Sequence, residues 1–147
     1  MLRIAAFADL DLDVLYGILR LRSEVFVVEQ ECAYLDPDGR DTEPTTLHLW
    51  VTQESTVVAA ARVLVEPDGV RKLGRVVVAP GHRGSGLADR LMTAAVGLLD
   101  DATAVLDAQS RLTTWYRRYG FEVCGDDFVE DGIVHTPMRR ASRPELR

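Results

Sequence analysis

The chain contains few of the residues on which disulfide frameworks and metal sites depend. It has two cysteines, Cys32 and Cys124, and three histidines. Two cysteines are too few for the several bridges of a small disulfide-rich protein, and the histidines do not follow the spacing of Cys/His metal ligands. We therefore expect reduced, non-catalytic thiols and no bound metal.

The chain also lacks the long apolar segments of membrane proteins. The sequence contains no run of about 18 apolar residues and no charged segment leading into a secretory h-region. We therefore expect no membrane partner and a cytoplasmic location.

The net charge of −6 disfavours nucleic acid as a partner, because a phosphate polymer binds a basic face. A length of 147 residues suits a single domain, which we assign to residues 1–147.

The most informative segment present, residues 76–88, predicts a strand, a tight turn and a helix start in immediate succession. Its valines favour a buried strand, Pro80 ends that strand, and Gly84 and Gly86 let the backbone approach a ligand closely. A helix that begins near Gly86 leaves its first N–H groups unpaired, and these can bind a pyrophosphate. The predicted cofactor-binding residues here are Val76, Val77, Val78, Arg83, Gly84, Ser85, Gly86, Leu87 and Ala88.

Two common phosphate-binding motifs do not fit this segment. The only lysine, Lys72, precedes the glycines, which excludes a P-loop, and the glycine spacing differs from that of a dinucleotide fingerprint. The pattern Arg83-x-x-Gly86-x-Ala88 resembles instead the pyrophosphate motif of the GCN5-related N-acetyltransferase (GNAT) superfamily. Taken alone, the segment also fits an ordinary strand-to-helix turn whose glycines serve only the geometry.

A second segment resembles another recurring part of the same superfamily. A short apolar strand leads to Gln109, then to Trp115-Tyr116 and, three residues later, to Gly120-Phe121. An amphipathic helical pattern joins the two segments, so their order favours the resemblance over the ordinary turn. The resemblance implies that Gln109 contacts the pantetheine arm of coenzyme A and that Tyr116 is the general acid.

The rest of the chain narrows the resemblance to the ElaA-type branch of the superfamily. One departure is Ala33, where the branch has a proline, and we expect it to alter only a local turn. The similar segments extend over residues 12–139 and comprise 19–34, Asp38, Asp41, 48–50 and 130–138.

Periodicity and turn residues predict a mixed α/β fold, with a central, mostly antiparallel sheet of the GNAT type and helices on both faces. Asp11 or Asp13 can cap a first helix, whose apolar stripe includes Arg22, and a buried arginine requires a partner. The remaining predicted elements are a loop over 32–46, strands over 47–53 and 57–65 and a third through Val78, a helix over 86–99, a strand over 103–108, a helix over 110–119, strands over 121–124 and 133–139, and a flexible tail over 141–147.

The chemistry implied by the resemblance is transfer of an acetyl group from acetyl-coenzyme A to a primary amine of a small molecule or peptide. Tyr116 can protonate the leaving thiolate, because a phenol has an ordinary pKa of about 10. Backbone N–H groups near Val77 and Val78 can stabilise the oxyanion. Four residues are candidates for the general base, of which the resemblance favours the first two: Glu29, His48, Glu130 and His135.

Charge divides the chain into a basic segment, 71–90, and an acidic segment, 29–43. The acidic segment predicts either a surface that attracts cationic amines or a merely solvated loop.

Two alternatives to the enzyme stay open, a non-catalytic acyl-coenzyme A sensor and a purely interaction-based module. The sequence fits a monomer or a homodimer, and it identifies neither the acceptor amine nor the range of acyl groups.

Overall fold

The computed structural model describes residues 1–142 of the protein. Three α-helices are present in this part of the chain, α1 (Leu12–Arg22), α2 (Leu87–Gly97) and α3 (Thr113–Arg117), and a π-helical segment, Ser23–Glu29, continues α1. The strands are β1 (Leu2–Ala6), β2 (Leu47–Gln53), β3 (Thr56–Val65), β4 (Arg71–Val78), β5 (Ala104–Gln109), β6 (Glu122–Val123), β7 (Phe128–Glu130) and β8 (Ile133–Arg140).

The eight strands form one sheet in the order β1-β2-β3-β4-β5-β8-β6, with β7 also paired to β8. Every pairing is antiparallel except that of β4 with β5. These two parallel strands share only two registered pairs, Arg71 with Ala104 and Lys72 with Val105. Beyond these pairs the strands diverge, and the rest of β4 has no strand partner on its β5 side among residues 1–142.

Apolar layers lie on both faces of the sheet, because side chains alternate along the central strands. Leu49 and Val51 of β2 belong to the core that α2 and α3 cover. Trp50, between them, lies on the other face with Ile18 and Leu21 of α1. This arrangement confirms the predicted mixed α/β fold with a mostly antiparallel sheet and helices on both faces.

Two strands were absent from the sequence prediction. β1 is an edge strand whose residues are half-buried or exposed, and all three residues of β7 are exposed. In neither strand do buried and exposed residues alternate regularly, and a regular alternation of apolar and polar residues is the sequence pattern that identifies a half-buried strand. The helix expected over 110–119 is a 3₁₀ turn, Ser110–Leu112, followed by the short α3.

Other boundaries differ in smaller ways. The strand expected over 121–124 is limited to β6, and the loop over 32–46 contains no helix or strand. Asp11 occupies the N-cap of α1, but its side chain makes no capping hydrogen bond. Most of the tail that we expected to be flexible, residues 143–147, lies outside the described residues.

Candidate active site

The divergence of β4 and β5 opens a cleft with a volume of about 940 Å³. Residues of both strands line it, together with the end of the π-helical segment, Tyr116 of α3 and the β7–β8 hairpin. Since β3 pairs with only one edge of β4, alternate backbone groups of Val76, Val77 and Val78 face the cleft. Apart from the Val78 carbonyl, which accepts from Arg83, these groups have no strand partner within residues 1–142 and are available to an extended ligand.

A bulge shapes β4 just before these valines. The β3–β4 register shifts between Ala60 and Arg62, and Arg75 has a left-handed φ of 52° within the strand. The Arg75 side chain lies 2.9 Å from a carboxylate oxygen of Asp36 and donates to the Asp36 carbonyl at 3.1 Å. A left-handed non-glycine residue in a strand is unfavourable on its own, and these contacts compensate for it.

The turn between β4 and α2 has the strand-turn-helix geometry predicted for pyrophosphate binding, and we call residues 83–88 the cradle. Gly84 and Gly86 have φ values of 78° and 82°, and Gly86 is the N-cap of α2. A Cβ atom at either glycine would meet no heavy atom within 4 Å, so open space lies in front of the backbone. A second cavity of about 190 Å³ is bounded by this turn, and Val78, Arg83 and Ala88 line both it and the main cleft.

Arg83 and Glu29, both predicted as site residues, are bound to each other. The guanidinium of Arg83 donates to both carboxylate oxygens of Glu29, at 2.8 and 2.5 Å, and to the carbonyl of Val78 at 3.3 Å. The hydrogen bonds from Arg83 lower the pKa of Glu29 below its ordinary value. Glu29 therefore lies in the cleft, but in this arrangement it is a weak base.

Tyr116 lies on the opposite wall of the cleft. It is 8% exposed, and the rings of Trp115 and Phe121 contact it edge-on. Within residues 1–142 its hydroxyl has no hydrogen-bond partner, and burial raises its pKa to about 12. The hydroxyl is therefore protonated at neutral pH and available to a ligand.

Gln109 ends β5 at the same cleft. Its side-chain amide donates to Gln30 at 3.2 Å, and its amide oxygen accepts from Arg111 at 2.9 Å. The contact with Gln30 joins the wall that follows α1 to the wall formed by β5. Gln109 thus lies in the cleft with its side-chain amide held in place, and its contact with the pantetheine arm stays a prediction.

The acetyltransferase (GNAT) domain family matches residues 26–142 of the chain, which include the cleft, the cradle and Tyr116. The chain belongs to the GNAT family. This family supports acyl transfer as the general reaction class.

Relatives place the chain in the ElaA-like branch of the GNAT family. UPF0039 protein Rv2851c of Mycobacterium tuberculosis is 43% identical over 136 residues, which cover 90% of this chain and 87% of that protein. The crystal structure of an acyl-CoA N-acyltransferase from Pseudomonas aeruginosa matches with a TM-score of 0.91 and 39% identity, over 96% of this chain and 99% of that one. The crystal structure of Escherichia coli ElaA matches with a TM-score of 0.90 and 32% identity, over 95% and 98% of the two chains.

His48, which the resemblance favoured as a base, lies away from the cleft. It is 2% exposed on β2, and its Nε2 is 2.9 Å from the carbonyl of Asp41. Since a carbonyl only accepts, Nε2 carries the hydrogen in this contact. Burial lowers the pKa of His48. The structure does not bring this imidazole together with Arg83, Tyr116 and Gln109.

Three carboxylates of the acidic segment, Asp36, Asp38 and Asp41, pair with arginines, and Asp36 and Asp41 are buried, so these three are not merely solvated. The attraction of cationic amines by this segment stays a prediction. The buried guanidinium of Arg22 donates to Asp36 at 2.7 Å and to Asp41 at 2.8 Å. Arg62 donates to Asp41 at 2.9 Å and to Asp38 at 2.6 Å. We call these five residues the ion cluster. It supplies the partner that Arg22 requires, and it uses three of the six acidic charges of the segment that we had assigned to the acceptor.

Sequence reasoning missed two parts of this site. Arg62 is the only charged residue of β3, which is apolar from Val57 to Val65 apart from it, and the argument that gave Arg22 a partner applies to it equally. Arg75 carried no such signal, because its role depends on a bulge that forms only when β3 and β4 pair.

Two further observations concern metals and membranes. Among the described residues, no group of three or more His, Cys, Asp or Glu side chains is arranged to hold a metal ion. No helix within residues 1–142 is long and apolar enough to cross a bilayer.

Proposed function

We propose that the protein transfers an acetyl group from acetyl-coenzyme A to a primary amine of a small molecule or peptide, by direct attack in a ternary complex. The observation that carries the proposal is the continuity between the cradle and the cleft. Val78, Arg83 and Ala88 line both spaces, and the unbonded hydroxyl of Tyr116 lies on the far wall. A ligand with a pyrophosphate at one end and a thioester at the other fits this arrangement.

The cofactor is held mainly by backbone in this proposal. The first N–H groups of α2, with Gly84, Ser85, Leu87 and Ala88 around them, bind the pyrophosphate of coenzyme A, because a helix N-terminus favours an anion. The exposed amides of residues 76–78 hold the pantetheine arm and the thioester oxygen, and Gln109 contacts that arm from β5. Arg83, which now binds Glu29, lies within the same cradle and can contribute its charge to the phosphates.

Tyr116 supplies the proton in this scheme. The amine attacks the thioester carbonyl, the C–S bond breaks, and the phenol protonates the departing thiolate as a general acid. The pKa of about 12 keeps the phenol protonated at neutral pH. His48 has no role in this scheme because it does not line the cleft, and Glu29 has one only if Arg83 releases it.

A thiol-release assay tests the proposal. Acetyl-coenzyme A is held fixed against a panel of amines that includes a peptide N-terminus, a lysine side chain and a polyamine, and calorimetry measures coenzyme A binding separately. We expect binding of coenzyme A and thiol release with at least one amine. Binding without release across the panel would favour the acyl-coenzyme A sensor, and no binding would favour an interaction-based module.

The choice of acyl group is tested in the same assay by replacing acetyl-coenzyme A with longer acyl thioesters. We expect acetyl to give the highest kcat/KM. Oligomeric state and cellular location stay predictions from the sequence.

A further inference from the structure

His135 is a cleft residue that the proposed scheme leaves unused. It lies on β8, where its Cα is in register with that of Gln109 on β5, and it lines the cleft. Its ring stacks on Phe128 with a centroid separation of 5.7 Å and an interplanar angle of 20°. The stack and the strand together fix the plane of the imidazole close to the residue that ends β5.

The hydrogen bond at Nδ1 determines which nitrogen of the neutral ring carries the proton. Nδ1 lies 2.9 Å from the carbonyl oxygen of Ile133. A carbonyl oxygen accepts and cannot donate, so Nδ1 must carry the hydrogen. The neutral imidazole then has its lone pair on Nε2, and this nitrogen has no hydrogen-bond partner among the described residues.

The competing bases are less well placed. The carboxylate of Glu29 is occupied by Arg83, and His48 is buried away from the cleft. Glu130 also lines the cleft, but it lies on β7, all of whose residues are exposed. His135 alone among the four candidates combines a place in the cleft with an imidazole whose tautomer is fixed by the backbone.

We propose that Nε2 of His135 is the general base that takes the proton from the attacking amine. The inference rests on the proposed function. An acceptor that arrives as an ammonium ion first gives one proton to Nε2, which passes it to solvent. The neutral amine then attacks the carbonyl carbon, and the C–S bond breaks.

Tyr116 as the acid and His135 as the base account for the remaining protons. The nitrogen loses its second proton to Nε2, while Tyr116 protonates the thiolate. The imidazolium returns that proton to the phenolate, directly or through water. The products are the amide, coenzyme A with a free thiol, and one proton released to solvent.

Replacement of His135 by Asn tests the role directly. Asn keeps a side-chain N–H that can reach the Ile133 carbonyl, but it cannot take up a proton. With an alkylamine such as n-propylamine, we expect kcat/KM to fall by about 10²-fold or more. With methoxyamine, which is already neutral at neutral pH, we expect a smaller loss, and coenzyme A affinity should be unchanged.

A matched control is Val134→Asn, which places the same side chain on the adjacent residue and the opposite face of β8. This variant should keep the turnover of the parent. If His135→Asn keeps parental turnover with the alkylamine while Glu29→Gln loses it, the base role returns to Glu29. Equal losses with the two amines would contradict base catalysis and favour a structural role.

The tautomer is tested without turnover. Nitrogen-15 NMR of the three histidines distinguishes a ring protonated at Nδ1 from one protonated at Nε2, and His135→Gln assigns the signal. We expect neutral His135 to carry its proton on Nδ1, and the opposite tautomer would overturn the proposal. If coenzyme A binds but no amine releases thiol, the proposed function fails and this base role fails with it, whatever the tautomer.

Discussion

At the scale of single residues, burial of the Tyr116 phenol determines its protonation. No hydrogen bond to a described residue stabilises the phenolate, so burial raises the pKa to about 12. The neutral form therefore persists across the whole range in which enzymes are usually assayed. Any loss of activity between pH 8 and about pH 10 would come from another group.

Tyr116→Phe keeps the ring and its edge contacts but removes the proton. We expect turnover to fall by about 10²-fold or more, with little change in coenzyme A affinity. Steady-state kinetics and calorimetry measure the two effects. Tyr16→Phe, at an exposed position on α1, is the matched control and should change neither. Parental turnover in Tyr116→Phe, where chemistry limits the rate, would assign the acid role to another group.

The same pKa shift affects stability at alkaline pH. The folded-state pKa of Tyr116 lies above the ordinary value of 10. Its contribution to the free energy of unfolding is therefore complete below pH 10 and declines as the pH rises toward about 12. Urea unfolding over this range should show a steeper loss for the parent than for Tyr116→Phe. Parallel curves would mean that the phenol ionises equally in both states.

At the scale of secondary-structure elements, the start of α2 and the loop over 32–46 depend on different kinds of interaction. The cradle is local, since its strand, turn and helix follow one another along the chain, and the sequence signals for each are short-range. The loop depends on ion pairs between distant residues, because Arg62 and Asp38 are 24 positions apart. This is why the strand-turn-helix geometry of the cradle could be predicted from the sequence, whereas for the ion cluster the sequence indicated only that Arg22 needs a partner and not which carboxylates supply it.

The cradle can be tested with two glycines of the same conformation. Gly86 and Gly69 both have left-handed φ values, and at both positions a Cβ atom would meet open space. Gly86→Val should abolish coenzyme A binding, whereas Gly69→Val, in the β3–β4 turn, should carry a similar strain and still bind. Calorimetry of the two folded variants makes the comparison. Equal coenzyme A affinity in the two variants would show that the cradle is not part of the cofactor site.

The ion cluster predicts the effect of removing Asp41, which binds both Arg22 and Arg62. Asp41→Asn leaves two buried guanidinium groups with fewer partners, and breaking a buried ion pair costs about 3–5 kcal/mol. Urea denaturation should show this loss, while Asp13→Asn, at an exposed position on α1, should not. A variant as stable as the parent, with altered KM for cationic amines only, would instead restore the acidic segment as an acceptor surface.

The Asp41 carboxylate also determines how the stability of the protein responds to acid. Burial alone would raise the pKa of Asp41, but the hydrogen bonds and charges of Arg22 and Arg62 outweigh it and hold that pKa below the ordinary carboxylate value. The contribution of Asp41 to the free energy of unfolding is therefore complete above the ordinary carboxylate pKa. It is lost as the pH falls through the lower pKa of the folded state. The Asn variant should have a flatter stability curve in acid than the parent.

At the scale of the whole molecule, a ligand that binds the cleft contacts both halves of the chain, β4 and α2 on one side and β5 and α3 on the other. Coenzyme A at a hundred times its Kd should raise the free energy of unfolding by about 2.7 kcal/mol. For a chain of this size, that corresponds to a rise in Tm of roughly 5–10 °C. Thermal unfolding measures the shift, and Gly86→Val, but not Gly69→Val, should lose it.

The gap between β4 and β5 gives this protein a free sheet edge in its interior. Edges of this kind usually lie at the margins of a sheet, where another chain can extend the sheet and start aggregation. Here the unpaired edge lies in the middle of the sheet, inside a cleft whose lining includes Phe26 and Ile133. This position leaves its amides open to a narrow ligand and gives a strand from a second molecule less room than an outer edge does.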